Sequence, residues 1–154
     1  RRWYGNNDYV VNWYENGREI QNYKDNTGKL LSRPQNMQYY FQESGSWSDI
    51  TTGTNAFRYK PQGHIFDVTG MSFFSDKSLH YLIAFCNTKI VVDLLKILSP
   101  TIHCQCGDVA KLPVIVDNGY KVIVDKKAKE NIETSKQDWD AFETSWDFKK
   151  HPLI

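Results

Sequence analysis

The sequence predicts an α+β fold: a twisted, mixed β-sheet with long loops, a packed helical pair and a C-terminal helical tail. Three observations carry this. Residues 1–75 hold most of the aromatic side chains and many Asn and Gln, in short runs broken by Gly, Pro and Asn, the pattern of strands and turns. Near residue 79 the apolar residues change to helical spacing. From about residue 126 the chain is charged and helix-favouring. The expected organisation is a globular domain over 1–116 and a helical tail over 117–154, packed on that domain or on an absent one.

Taken in order, Arg1 to Asp8 reads as loop or the start of a strand, or as an end that has lost its neighbours. Tyr9 to Tyr14 alternates as a strand does, and Asn16-Gly17 after it tolerates the positive φ of a hairpin turn. Arg18 to Tyr23 is then a returning strand or a helical turn, and Lys24 to Leu31 a loop. Gln38 to Gln42 reads as a strand and Gly45 to Thr54 as a loop around Trp47. Ala56–Lys60 and His64–Thr69 are expected strands joined through Pro61-Gln62-Gly63.

Leu79, Leu82, Ile83, Phe85 and Cys86, then Ile90, Val91, Leu94, Leu95 and Leu98, form the helical pair. Ser75 and Thr88 are its expected caps, Asn87-Thr88 its break and Pro100 its end. Ile102 to Gln105 is a short strand, and Asp108 caps one turn that Pro113 stops. Residues 114–124 are either a hairpin about Asn118-Gly119 or a helix capped by Asp117. Ser135 with Asp138 resembles a capping box. Trp139, Phe142 and Trp146 make a helical stripe that must bury against this domain or another.

Composition narrows the function classes. Net charge is +1, and residues 1–75 hold eight basic and seven acidic side chains, so any nucleic-acid binding rests on a local patch rather than a global field. No apolar run reaches the roughly 18 residues of a membrane helix. Three cysteines, no Asn-x-Ser/Thr and no signal peptide point to a reducing, cytoplasmic setting. A first residue of Arg rather than Met suggests a piece of something larger. Aromatics mixed with amides also suit a carbohydrate-binding β module.

No catalytic constellation is visible. There is no G-x-S-x-G, no glycine-rich phosphate loop and no Asn-Pro-Pro-Tyr. His103-Cys104-x-Cys106 lacks the second ligand pair of a closed zinc site, so burial is the expected role of these cysteines and no metal is expected. The stretch with the most recognition chemistry is Ser32–Phe41, S-R-P-Q-N-M-Q-Y-Y-F. Arg reads guanine and Asn or Gln reads adenine through paired hydrogen bonds, and Pro34 stiffens the loop. The plainer reading is a polar surface loop.

Several segments together resemble one family. They are R-R-W-Y-G-N at Arg1–Asn6, Y-V-V-N-W at Tyr9–Trp13, Ser32–Phe41, W-S-D-I at Trp47–Ile50 and F-R-Y at Phe57–Tyr59. Further along come G-H-I-F-D-V at Gly63–Val68, L-L-K-I-L-S-P-T-I at Leu94–Ile102, G-D-V-A-K-L-P-V at Gly107–Val114, and D-W-D-A-F-E-T-S-W-D-F-K-K-H-P-L at Asp138–Leu153. The set resembles the C-terminal half of the PglX family, adenine-specific DNA methyltransferases of BREX phage-exclusion systems. More distantly it is similar to the specificity domains of type I restriction systems and of TaqI-like methyltransferases. Cys104 and Cys106 stand where an aromatic or aliphatic strand residue is expected.

The resemblance implies a target-recognition region working beside a catalytic domain that uses S-adenosylmethionine, with double-stranded DNA and other BREX proteins as partners. No catalytic or cofactor-binding residue maps onto this chain. Under that reading Arg33, Gln35, Asn36 and Gln38 meet base edges, Arg58 and Lys60 hold phosphates, and Tyr39 or Trp47 supports the strand left behind when adenine is flipped out. The rival is a protein-docking module anchored by Trp139, Phe142 and Trp146.

Overall fold

The computed structural model describes residues 1–153. Its element order is α1 (Tyr14–Gln21), a 3-10 turn (Met37–Tyr39), β1 (Ser44–Ser48), β2 (Arg58–Lys60), β3 (Gly70–Phe73), α2 (Leu79–Cys86), α3 (Lys89–Leu98), α4 (Cys106–Ala110) and α5 (Asn118–Asp140). The class is α+β, as the sequence predicts. The sheet runs β2-β1-β3 with β1 central and both pairings antiparallel. The expected mixed sheet reduces to one parallel bridge, Trp3 to Arg58. There the Trp3 N–H donates to the Phe57 carbonyl at 3.0 Å and the Tyr59 N–H to the Trp3 carbonyl at 2.8 Å. Trp3 therefore extends the sheet edge beside β2.

The central strand is the segment expected to be a loop. S-G-S-W-S has few β-favouring side chains, but strand preference measures fit to a pleated, half-buried surface rather than backbone liking. Gly45 lies under the Phe73 ring, where an added Cβ would overlap the ring carbons, and glycine in a strand marks such an approach. Trp47, two residues on, faces the same side and is 1% exposed. It packs with Phe57, Cys86, Val91, Leu95, Cys104 and Leu112 in the main core.

Other expected strands are absent for local reasons. Tyr9–Tyr14 finds no ladder partner, and Tyr9 is 93% exposed. Asn16 and Gly17 do take positive φ, together with Glu15, but the turn leads into a helical turn rather than a hairpin. In place of a strand over Gln38–Gln42 there is the 3-10 turn, because Asn36 and Phe41 both sit at left-handed φ. His64–Thr69 stays a loop: the Asp67 carboxylate accepts the Thr69 and Gly70 N–H groups at 3.0 and 2.7 Å, and pairing starts only at Gly70. Ile102–Gln105 reduces to one bridge, His103 to Ile50.

The helical half follows its pattern. α2 buries Leu79, Ile83 and Cys86, and α3 buries Val91 and Leu95. Thr88 caps α3 by accepting the Val91 N–H. Ser75 acts one turn ahead of α2, accepting the Ser78 N–H at 3.1 Å. Between the helices, Asn87 closes both polar groups of Phe57, accepting its N–H at 3.1 Å and donating to its carbonyl at 2.9 Å. The one-turn α4 starts a little earlier than expected, boxed by Gln105 and Asp108.

Residues 114–124 resolve as extended chain then helix, since Asp117 accepts the Gly119 N–H at 2.7 Å and caps α5. α5 runs unbroken through Ser135, so the expected capping box there does not form; the Ser135 hydroxyl instead donates to the Arg2 carbonyl. α2 packs on β1 and β2 and along α5. Trp139 joins Tyr4 and Ile132 in a second small core. Among the described residues no helix is long and apolar enough to cross a membrane.

Candidate functional site

Strand alternation gives the sheet two unlike faces. The register pairs Ser44 with Lys60 and Ser46 with both Arg58 and Ser72, so these residues share the face away from Trp47. That face floors a cleft of about 950 Å³. Its walls are the N-terminal strap Asn6–Val11 with Trp13, the turn residues Phe41 and Gln42, the loop Gly63–Asp67, and Trp139, Ser145, Trp146 and Asp147.

Two cations sit in that floor. Arg58 is 5% exposed. Its guanidinium donates to Ser48 Oγ at 2.9 Å and to the Arg1 carbonyl at 3.3 Å, while Nε has no partner. Lys60 donates to the Gly5 and Asn6 carbonyls at 3.4 and 3.1 Å and to Asn7 Oδ1. Burial, helped by the Arg58 charge and opposed by Asp8, brings the Lys60 ammonium down to about 8. Burial also lowers Arg58. Neither makes an ion pair among the described residues. Lys136, also at the wall, is held by Asp140 and Asp147.

The Ser32–Phe41 loop lies beside the cleft. Arg33, Gln35, Asn36 and Gln38 are all exposed. Below them the loop is anchored by rings: Tyr39 stacks on Phe74 at 5.0 Å, Tyr40 meets Phe66 edge-on at 5.0 Å, and Trp13 meets Tyr40 at 5.2 Å. Backbone bonds tie Phe41 to His64 and Gly63. Tyr39 is 43% exposed.

Trp47 is sealed on the opposite face, its indole N–H donating to the Cys104 carbonyl at 2.7 Å. It has no surface to offer a DNA strand, so its expected supporting role gives way to core packing. Arg58 and Lys60 share the cleft floor with serines that sequence reasoning passed over. The available signal was a hydroxyl at every second position of Ser44–Ser48, hidden by reading that segment as loop.

Of the expected anchor stripe, Trp139 is buried under the Arg1 guanidinium, 5.0 Å from its ring. Phe142 and Trp146 remain 45% and 70% exposed. Cys86 and Cys104 are core side chains whose thiols burial pushes up to about 12 and about 11. The His103 ring meets the Asp49 carboxylate at 2.8 Å.

No protein-family model matches the chain. Two curated proteins do. The chain is 36% identical over 158 residues to the adenine-specific methyltransferase BrxX of Escherichia coli O9:H4 (strain HS), covering 100% of this chain and 12% of that protein. It is 36% identical over 157 residues to the adenine-specific methyltransferase PglX of Lacticaseibacillus casei (strain Zhang), covering 100% of this chain and 13% of that protein. The chain thus spans a small part of the length of the relatives it matches.

Proposed function

Because the chain is a PglX/BrxX-like segment along its whole length, we propose that it is the DNA-recognition part of a site-specific adenine methyltransferase in a BREX-type phage-exclusion system. The carrying observation is the loop at Ser32–Phe41. It holds one guanidinium and three amides in water, on a base fixed by stacked rings. A stiff loop loses little entropy on docking, so its hydrogen bonds go into discrimination. Arg33, Gln35, Asn36 and Gln38 meet base edges in this reading, with half-exposed Tyr39 beside them. Methyl transfer from S-adenosylmethionine belongs to a catalytic domain outside the matched segment, since no Asn-Pro-Pro-Tyr or glycine-rich loop occurs in these residues.

The test is Arg33→Ala in the full-length enzyme. It is expected to lose about 1–3 kcal/mol of discrimination at one base pair, read as relaxed methylation at that position across a genome. An unchanged methylated motif overturns the assignment of Arg33. Exposed Trp146 and Phe142 support a second reading, a docking face for another protein of the same system. Trp146→Ala that abolishes complex formation while sparing the methylated motif favours that reading.

A further inference from the structure

The floor of the cleft poses an electrostatic problem that the fold alone does not solve. Arg58 and Lys60 are two residues apart on β2 and so share one face. Removing a cation from water is costly unless a counter-charge meets it, and here two like charges lie together. Only neutral oxygens answer them: Ser48, Arg1, Gly5, Asn6 and Asn7. The nearby carboxylates are largely committed. Asp67 holds Thr69 and Gly70, and Asp147 holds Lys136. Asp8 is the one left close to Lys60.

Around the cations stand hydroxyls. Ser44 and Ser46 on β1 and Ser72 on β3 line the same floor, and none is engaged with another side chain there. Hydroxyls beside an ammonium and a guanidinium match an anion with several acceptor oxygens. We propose that this cleft is a seat for one phosphate group, its charge balanced by Arg58 and Lys60 and its oxygens accepting from Ser44, Ser46 and Ser72. The proposal rests on the DNA-recognition reading for the source of the phosphate, a duplex backbone, but not for the seat itself.

Lys60 gives the readout. With burial bringing Lys60 down to about 8, about half of it is the neutral, nucleophilic amine at that pH, so an amine-labelling reagent followed by peptide mass spectrometry follows Lys60 in the full-length protein. Duplex DNA at about ten times its dissociation constant is expected to slow Lys60 labelling about tenfold, whereas chloride at equal ionic strength leaves it unchanged. Inorganic phosphate is the second arm. Protection by both ligands means that the seat takes free phosphate as well; protection by duplex alone identifies the backbone as the source.

Equal labelling with and without either ligand overturns the proposal. So does protection that is undiminished in Ser46→Ala/Ser72→Ala, a pair of small changes whose folding the same protein's melting curve verifies. Loss of protection in that variant, with its melting curve unchanged, supports the seat. The outcome is independent of Arg33→Ala, so failure of the base-reading loop and failure of the seat are told apart.

Discussion

Gly45 has no room for a methyl group. The Phe73 ring covers its α-carbon from the neighbouring strand, and Trp47 closes the same face two residues on. Gly45→Ala is expected to cost about 1–3 kcal/mol through overpacking, measured as a lower urea midpoint with an unchanged slope. Lys60 acts through its proton. Its ammonium is lowered from 10.5 to about 8 in the folded chain, chiefly by burial. Between those values the unfolded chain binds more protons, so this group's contribution to stability rises with pH from about 8 to 10.5. Paired urea titrations of wild type and Lys60→Met across that window check it: the wild type gains on the variant as pH climbs. Neither feature was legible beforehand, because each depends on a neighbour distant in sequence, Phe73 for Gly45 and the Gly5–Asn7 strap for Lys60.

Among the elements, the α2–α3 pair was the most legible, because helical periodicity and caps are local signals. Thr88 Oγ1 donates to the Phe85 carbonyl at 2.8 Å and accepts the Val91 N–H at 3.4 Å, so one side chain ends α2 and opens α3. Thr88→Ala is expected to cost about 1 kcal/mol, seen as a lower melting temperature. The strands were the least legible. Aromatic runs such as Tyr39–Phe41 look like strand but pack ring against ring around a turn, whereas a Ser- and Gly-rich run forms the middle of the sheet. α5 lies between these cases. Its helical character beyond residue 126 was legible, but its start was left open between hairpin and helix, and the mid-helix Ser135 mimics a cap until its bond to Arg2 is seen.

Taken as a whole, the molecule carries little net charge, +1 over 154 residues. Binding of the chain by itself to DNA therefore depends on a few local contacts. We expect it to be weak and to fall steeply with salt, with a log–log slope of about −0.9 per phosphate contact; anisotropy titrations of labelled duplex at several salt concentrations measure it. The Ser32–Phe41 loop and the cleft lie on neighbouring surfaces, joined through Phe41, which belongs to the loop and also lines the cleft.

By itself the sequence determined the α+β class, the helical pair, the resemblance to adenine-specific methyltransferases and the polar loop at Ser32–Phe41, since local periodicity, caps and motif order are written along the chain. The tertiary structure alone decided which face of the sheet carries the polar side chains and which of them stand together on it. Strand pairing joins residues far apart in sequence, so the shared floor of Ser46, Arg58 and Ser72, and the withdrawal of Trp47 from any ligand, follow from register rather than from composition.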